Sequence, residues 1–302
     1  FLIASTDHWH VLHALGAIRA GKGVYVEKPL GVSLAQDQAL REEVRRKRRV
    51  FQFGTQQRSD EKFRRACELV RNGRIGKVHT INVWCVGSQP GGPLDLAPVP
   101  EGLDYDLWLG PAPAVPYTVD RATNKWWWFN SDYALGFIAG WGIHPVDIAV
   151  WGAGHFMRDP VEIRGEAVYS KEGISDTAVS WNVTGTYDNG LVVNFVSSPA
   201  PREWQDRYGE VIDHGTAFEG TDGWVCVDRR RLRTQPAALL REPVGRAGAR
   251  LHESDHHIRD FLASVRKGSD PASPIEDAVF GDAFCHACDI ALRLEQIGRA
   301  HV

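Results

Sequence analysis

The 302-residue chain is 43% hydrophobic and 24% charged, ordinary for a globular protein long enough for two domains or one large one. A net charge of −3 excludes the basic field of a nucleic-acid binder, and no apolar run is long enough to span a membrane. Five scattered cysteines do not make a disulfide framework and suggest a reducing compartment.

Residues 1–5 read as a short buried strand. Apolar positions at helical spacing (Val11, Leu12, Leu15, Ile18) predict a helix over 8–20, stopped by Gly21. Residues 23–27 are a second strand. Ser33 is an N-cap for a helix to about Arg48, whose basic run Arg45–Arg49 is a solvated face. Residues 50–54 are a third strand. Strand–helix–strand–helix–strand with short connections predicts a parallel sheet with right-handed crossovers.

The pattern then changes. A helix is expected over 61–71, ended by Asn72-Gly73, and a strand over 77–86. Residues 88–125 form a long Pro/Gly-rich loop, of a length often functional. Helical pattern returns at 142–151. Strands follow at 161–169, 177–187 and 191–197, the last two joined by Asp188-Asn189-Gly190, then a hairpin over 216–228 with Thr221-Asp222-Gly223 at its turn. Helices at 254–267 and 275–295 close the chain. This second part reads as α+β, an antiparallel sheet with helices on one face.

Glu27-Lys28-Pro29 stands out. It follows the buried strand Gly23–Val26, at the strand's carboxyl end, where open α/β sheets bind ligands. Pro29 fixes its own φ and restricts Lys28 to extended geometry, so the ammonium is aimed. Such a lysine can give or take a proton; the alternative is a surface lysine paired with Glu27. Eleven tryptophans suit a flat, sugar-like ligand or a plain core. Cys285-His286-Ala287-Cys288 lies in a helical pattern with no second ligand pair nearby, so buried small residues are expected there and no metal. The His256-His257 pair shows no useful partner spacing.

The stretches Ala4–His10, Val24–Leu30, Gly54–Arg58, Gly73–Val78, Trp108–Pro113 and Gly140–Asp147 occur in an order and spacing that resemble the Gfo/Idh/MocA oxidoreductases. The resemblance implies α/β plus α+β architecture. Residues 1–56 would be the C-terminal half of a doubly wound, NAD(P)-binding Rossmann domain. Residues 57–296 would form a substrate and oligomerisation domain with a large, open, mostly antiparallel sheet. It implies hydride transfer between NAD or NADP and a hydroxyl-bearing carbon of a sugar or polyol, in a homo-oligomer built through the open sheet. An NAD-assisted glycosidase or lyase of the same fold, and a non-catalytic sugar-binding or scaffold protein, stay open as alternatives.

By the same resemblance Lys28 contacts the substrate hydroxyl as proton donor or acceptor, and His144 serves as base. The family's aspartate four residues before that histidine is replaced by Gly140, so Asp147, one turn after His144, or Asp132 is a candidate partner. Thr6, Asp7, His8 and Trp9 would border the ribose and nicotinamide, with Asp7 alternatively a helix cap. Glu27 would contact the ribose or pair with Lys28. Gln57 and Arg58 follow the third strand; Arg58 would clamp substrate or form a structural salt bridge. Trp126, Trp127, Trp128 and Tyr133 would stack on a sugar ring or pack the loop against the sheet.

The glycine-rich turn of the family is not in the sequence, so NAD and NADP are not separated, and this chain by itself is expected to be inactive and poorly soluble. The chain starts with Phe1 inside a strand pattern, and Ile297–Val302 is what a common sequencing-adapter sequence encodes. A translated metagenomic fragment is therefore expected, with 297–302 as artefact. Compartment stays open between cytoplasm and export.

Overall fold

The computed structural model describes residues 1–122, 125–242, 248–294 and 298–300, the last three as backbone. The chain begins with β1 (Leu2–Ile3), α1 (Asp7–Arg19), β2 (Val24–Val26), α2 (Leu34–Lys47) and β3 (Phe51–Phe53). The three strands pair in parallel in the order β1-β2-β3, with Leu2 opposite Tyr25 and Val24 opposite Phe51. The expected half-sheet is present with shorter strands. Ser33 caps α2 by accepting from the Gln36 N–H, as its sequence position implied. Arg48, in the left-handed conformation, ends the helix.

The 3₁₀ turn Gln56–Ser59 and α3 (Glu61–Arg71), capped by Asp60, lead into β4 (Val78–Cys85). Beyond the long loop come α5 (Phe137–Gly140), α6 (Ile143–Ala153), β5 (Val161–Tyr169), β6 (Ala178–Tyr187) and β7 (Val192–Ser197). That loop is not wholly irregular: it contains α4 (Tyr105–Leu109), capped by Asp104. The chain continues through α7 (Arg202–Tyr208), β8 (Gly215–Gly220), β9 (Gly223–Val227), β10 (Leu232–Gln235), α8 (His257–Lys267) and α9 (Ile275–Leu294).

The second sheet has eight strands in the order β10-β9-β8-β4-β7-β6-β5-β11. Strand β11 is the backbone of Gly298–Ala300, paired antiparallel with β5. Of the segment 297–302, set aside above as artefact, Ile297, His301 and Val302 lie outside the described residues. The sheet is antiparallel except at its centre, where β4 and β7 run parallel with Val83 opposite Phe195.

Strand alternation sorts two cores. Val83, Phe195, Phe218 and Val225 point to the main core beneath α3, α6 and α9. Their neighbours Trp84, Val196, Ala217 and Cys226 point the other way, into a smaller cluster closed by Trp204 and Tyr208 of α7. The expectation of helices on one face is thus corrected. Helix α7 covers part of the second face, because Trp84 is too large an apolar surface to leave in water. Beside it runs a polar ladder: Tyr208 Oη accepts from Asn82, Asn82 accepts from Asn194, and Asn194 accepts from Thr184.

The two sheets are joined through Arg58. Its guanidinium, 1% exposed, donates through Nε and Nη2 to both oxygens of Asp147 on α6, at 2.8 and 2.7 Å. Nη1 donates to Asp277 on α9 at 2.7 Å and to the Ala272 carbonyl at 3.2 Å. His257 adds a second tie: Nε2 meets the Phe53 carbonyl at 2.8 Å and Nδ1 meets Ser59 Oγ at 2.8 Å. His256 caps α8 by accepting from Arg259 N–H. The histidine pair that offered no partner spacing in the sequence is therefore structural. Removing one member of a buried ion pair strands the other charge, at a cost of about 3–5 kcal/mol. Arg58→Ala is expected to lose that much in urea unfolding; a loss under about 1 kcal/mol would show that the network is dispensable.

Candidate active site

Lys28 leaves the carboxyl end of β2 and reaches across to the other sheet. Its Nζ donates to the Gly140 carbonyl at 2.6 Å and stands 6.0 Å from the centre of the Trp128 ring. Gly140 is the last residue of α5, and His144 lies in the first turn of α6. That bond holds the amine at the end of α5, four residues before His144. Among the described residues Lys28 makes no ion pair with Glu27, whose carboxylate accepts instead from Tyr25 and Gln56.

His144 is 3% exposed, and its Nδ1 has no hydrogen-bond partner among the described residues. Burial holds its pKa well below the ordinary value, and the positive charges of Lys28 and Arg229, with His214, push the same way. It is a neutral imidazole at pH 7. Burial also lowers the Lys28 pKa, while Asp7 and Glu27 oppose that shift. Asp7 is 2% exposed, and burial raises its pKa against the pull of Lys28. Its Oδ2 has no hydrogen-bond partner among the described residues. The N-cap of α1 is Thr6, not Asp7, and its side chain makes no capping bond. His8 Nε2 meets the Trp108 carbonyl at 2.9 Å, and the Trp9 indole donates to that same oxygen. The Trp9 ring stacks on His13.

Three expected site residues are redirected. Asp147 does not serve His144: its two oxygens are spent on Arg58. Arg58 cannot clamp substrate, because its donors are committed to Asp147, Asp277 and Ala272 in the core. Tyr133 is fully buried, receives a hydrogen bond from Arg121 and packs against His8 and Trp108, so it packs the loop rather than facing a sugar. Gln57 is buried with neither amide atom partnered among the described residues, and Trp128 remains half-buried beside Lys28.

Two groups were not anticipated. His214, 3% exposed, stands beside the Trp141 ring, with Nδ1 2.9 Å from Asp213 and Nε2 unpartnered among the described residues. Arg229 lies over the ring of the same tryptophan at 5.1 Å. Both enter from the β8–β9 hairpin, and no spacing in the sequence links them to His144.

Burial keeps His10 and His257 neutral as well, with pKa values lowered to about 4. A histidine whose folded pKa lies below its unfolded value of about 6.5 binds its proton more readily when unfolded. Stability is then intact above pH 6.5 and falls as pH drops toward 4, by about 1.4 kcal/mol per pH unit for each such histidine. The melting temperature should fall steadily between pH 6.5 and 4.5. A flat profile over that window would contradict the neutral, buried assignments of His10, His144 and His257.

Residues 77–214 match the model of the oxidoreductase family C-terminal α/β domain, of Gfo/Idh/MocA type. The chain is 31% identical over 106 residues to myo-inositol 2-dehydrogenase of Thermotoga maritima, and 37% identical over 90 residues to inositol 2-dehydrogenase 3 of Saccharopolyspora erythraea. These alignments cover 35% and 30% of this chain, but only 31% and 26% of those proteins. The WlbA dehydrogenase of Bordetella pertussis, solved with NADH and UDP-GlcNAcA, shares the fold over 100% of this chain and 78% of its own, with TM-score 0.67 at 13% identity. Over residues 77–214 the chain carries the C-terminal α/β domain of the Gfo/Idh/MocA oxidoreductases, and it is similar to inositol dehydrogenases of that type.

Proposed function

We propose that the protein is an NAD(P)-dependent dehydrogenase of a sugar or polyol. The observation that carries this reading is the Lys28–Gly140 hydrogen bond, which sets an amine from the β2 rim against the end of α5, four residues before His144. Thr6, Asp7, His8, Trp9 and Glu27 gather at the carboxyl ends of β1 and β2, and Asp7 Oδ2 and His8 Nδ1 are buried without hydrogen-bond partners among the described residues. That cradle fits the nicotinamide and its ribose. A nicotinamide bound there would accept or return hydride at the carbinol carbon.

The protein's part is to hold the hydroxyl and move its proton. A neutral His144 is ready to accept that proton, and Lys28 can donate or relay one. Trp128 beside Lys28 offers an apolar wall for a ring, and Gln57 brings two unused hydrogen-bonding atoms. The inositol dehydrogenase names of the curated relatives support a cyclic polyol or sugar as substrate.

Gly140 keeps a second reading open, that of an NAD-assisted glycosidase or lyase, since the site offers no carboxylate one turn ahead of His144. One assay on the complete gene product separates them. With a polyol panel and NAD or NADP, wild type should accumulate reduced cofactor. Lys28→Ala should cut kcat by about 10²–10⁴-fold with an unchanged melting temperature. A Lys28→Ala variant with full turnover would remove that role, and leaving-group release without net reduced cofactor would favour the second reading.

The outer face of β5, where Val168 is 61% exposed, supports a homo-oligomer through the open sheet. Light scattering at micromolar concentration should give at least a dimer, and a monomer there would refute it.

A further inference from the structure

We infer that Asp37 on α2 and Asp282 and His286 on α9 form a binding site for a divalent cation of the zinc or manganese class. Asp37 and Asp282 are 0% exposed and His286 is 5% exposed. One ligand atom from each lies within 4.8 Å of the others. His286 Nε2 stands 3.6 Å from Asp37 Oδ2 and 3.6 Å from Asp282 Oδ2. Those separations are long for hydrogen bonds. They are close to the about 3.4 Å that separates two ligands held at about 2.1 Å on a tetrahedral ion.

Both oxygens of Asp37, Oδ1 of Asp282 and Nε2 of His286 have no hydrogen-bond partner among the described residues. Buried polar atoms are nearly always satisfied, so four orphans on three neighbouring side chains call for a shared ligand. A proton shared by the two carboxyl groups would occupy two oxygens and leave Nε2 bare. A dication satisfies the imidazole as well and cancels the two negative charges. One nitrogen with two carboxylate oxygens suits zinc or manganese better than calcium, which takes oxygen ligands.

The cradle is shaped by Gly31. Its N–H donates to Asp282 Oδ2 at 3.4 Å, and a Cβ at that position would come within 2.5 Å of Asp37 Oδ1. A route in exists: His286 and Asp289 line a surface cavity of about 530 Å³ bordered by residues 32–35. Three protein ligands leave one coordination position open. The ion would clamp α2 to α9 just beyond the Lys28-Pro29 turn. The site stands whether or not the hydride-transfer reading holds, since its test reads binding and melting alone.

The complete gene product, stripped with EDTA and dialysed, is titrated with zinc chloride and separately with manganese chloride. Wild type should take up about one ion per chain by elemental analysis. Its melting temperature should rise by on the order of 5–10 °C at hundredfold excess over Kd. The isosteric double variant Asp37→Asn, Asp282→Asn should bind neither ion and melt at a temperature indifferent to both. If that variant does not fold, His286→Gln takes its place and should weaken binding at least tenfold. Wild type that ignores both cations overturns the site, as does a variant that binds them as wild type does.

Discussion

A guanidinium with almost no access to water governs the geometry of this molecule. Arg58 sits just past β3, and its donors fasten that strand end to α6 and α9. Helix α6 carries His144, and β2, the neighbour of β3, carries Lys28. The relative placement of amine and imidazole is therefore fixed from behind by a charge network that never meets substrate. Buried ionic groups of this kind contribute little net stability compared with apolar packing, but they tolerate few alternative arrangements. Here that intolerance holds two sheets in register across a junction where each would otherwise be free to slide.

Around the candidate site, burial outweighs charge. Lys28 and Asp7 attract one another, yet desolvation pulls both toward their neutral forms. For His144 burial and the neighbouring cations act in concert. The outcome is a place where protons sit on weakly committed groups, a common mark of functional sites. The absent carboxylate at Gly140 belongs to the same logic. Its backbone carbonyl, not a side chain, engages Lys28.

The parallel unit was legible because its helices carry apolar residues at regular spacing and its strands are uniformly buried. The three antiparallel strands with clear alternation were equally plain. Strand β10 and helix α7 were not. Leu232–Gln235 is too short to show a period, and α7 is recognisable only once Trp84 supplies the surface it covers. Lys28 and His144 emerged through family resemblance, and Lys28 bonds the Gly140 carbonyl four residues before the histidine. Asp147 and Arg58 were picked from the same motifs and proved to be each other's partners, because sequence spacing cannot tell which way a helix turns a carboxylate. His214 and Arg229 gave no local signal. Nor did Asp37: its link with His286 is a pairing across nearly the whole chain, and only Asp282, four residues before His286, shared a helix face with it.

The central parallel pair has a kinetic meaning. Strand β4 finds its register against β7 only after the long loop, two helices and the β5–β6 hairpin have been threaded between them. The chain must close that circuit before the middle of the sheet can zip, and such non-local pairing is slow. During synthesis the first strand of this sheet therefore waits, with both hydrogen-bonding edges unclaimed, for partners still to leave the ribosome. The slowest-forming part of the protein is its geometric middle, and its flanks form sooner.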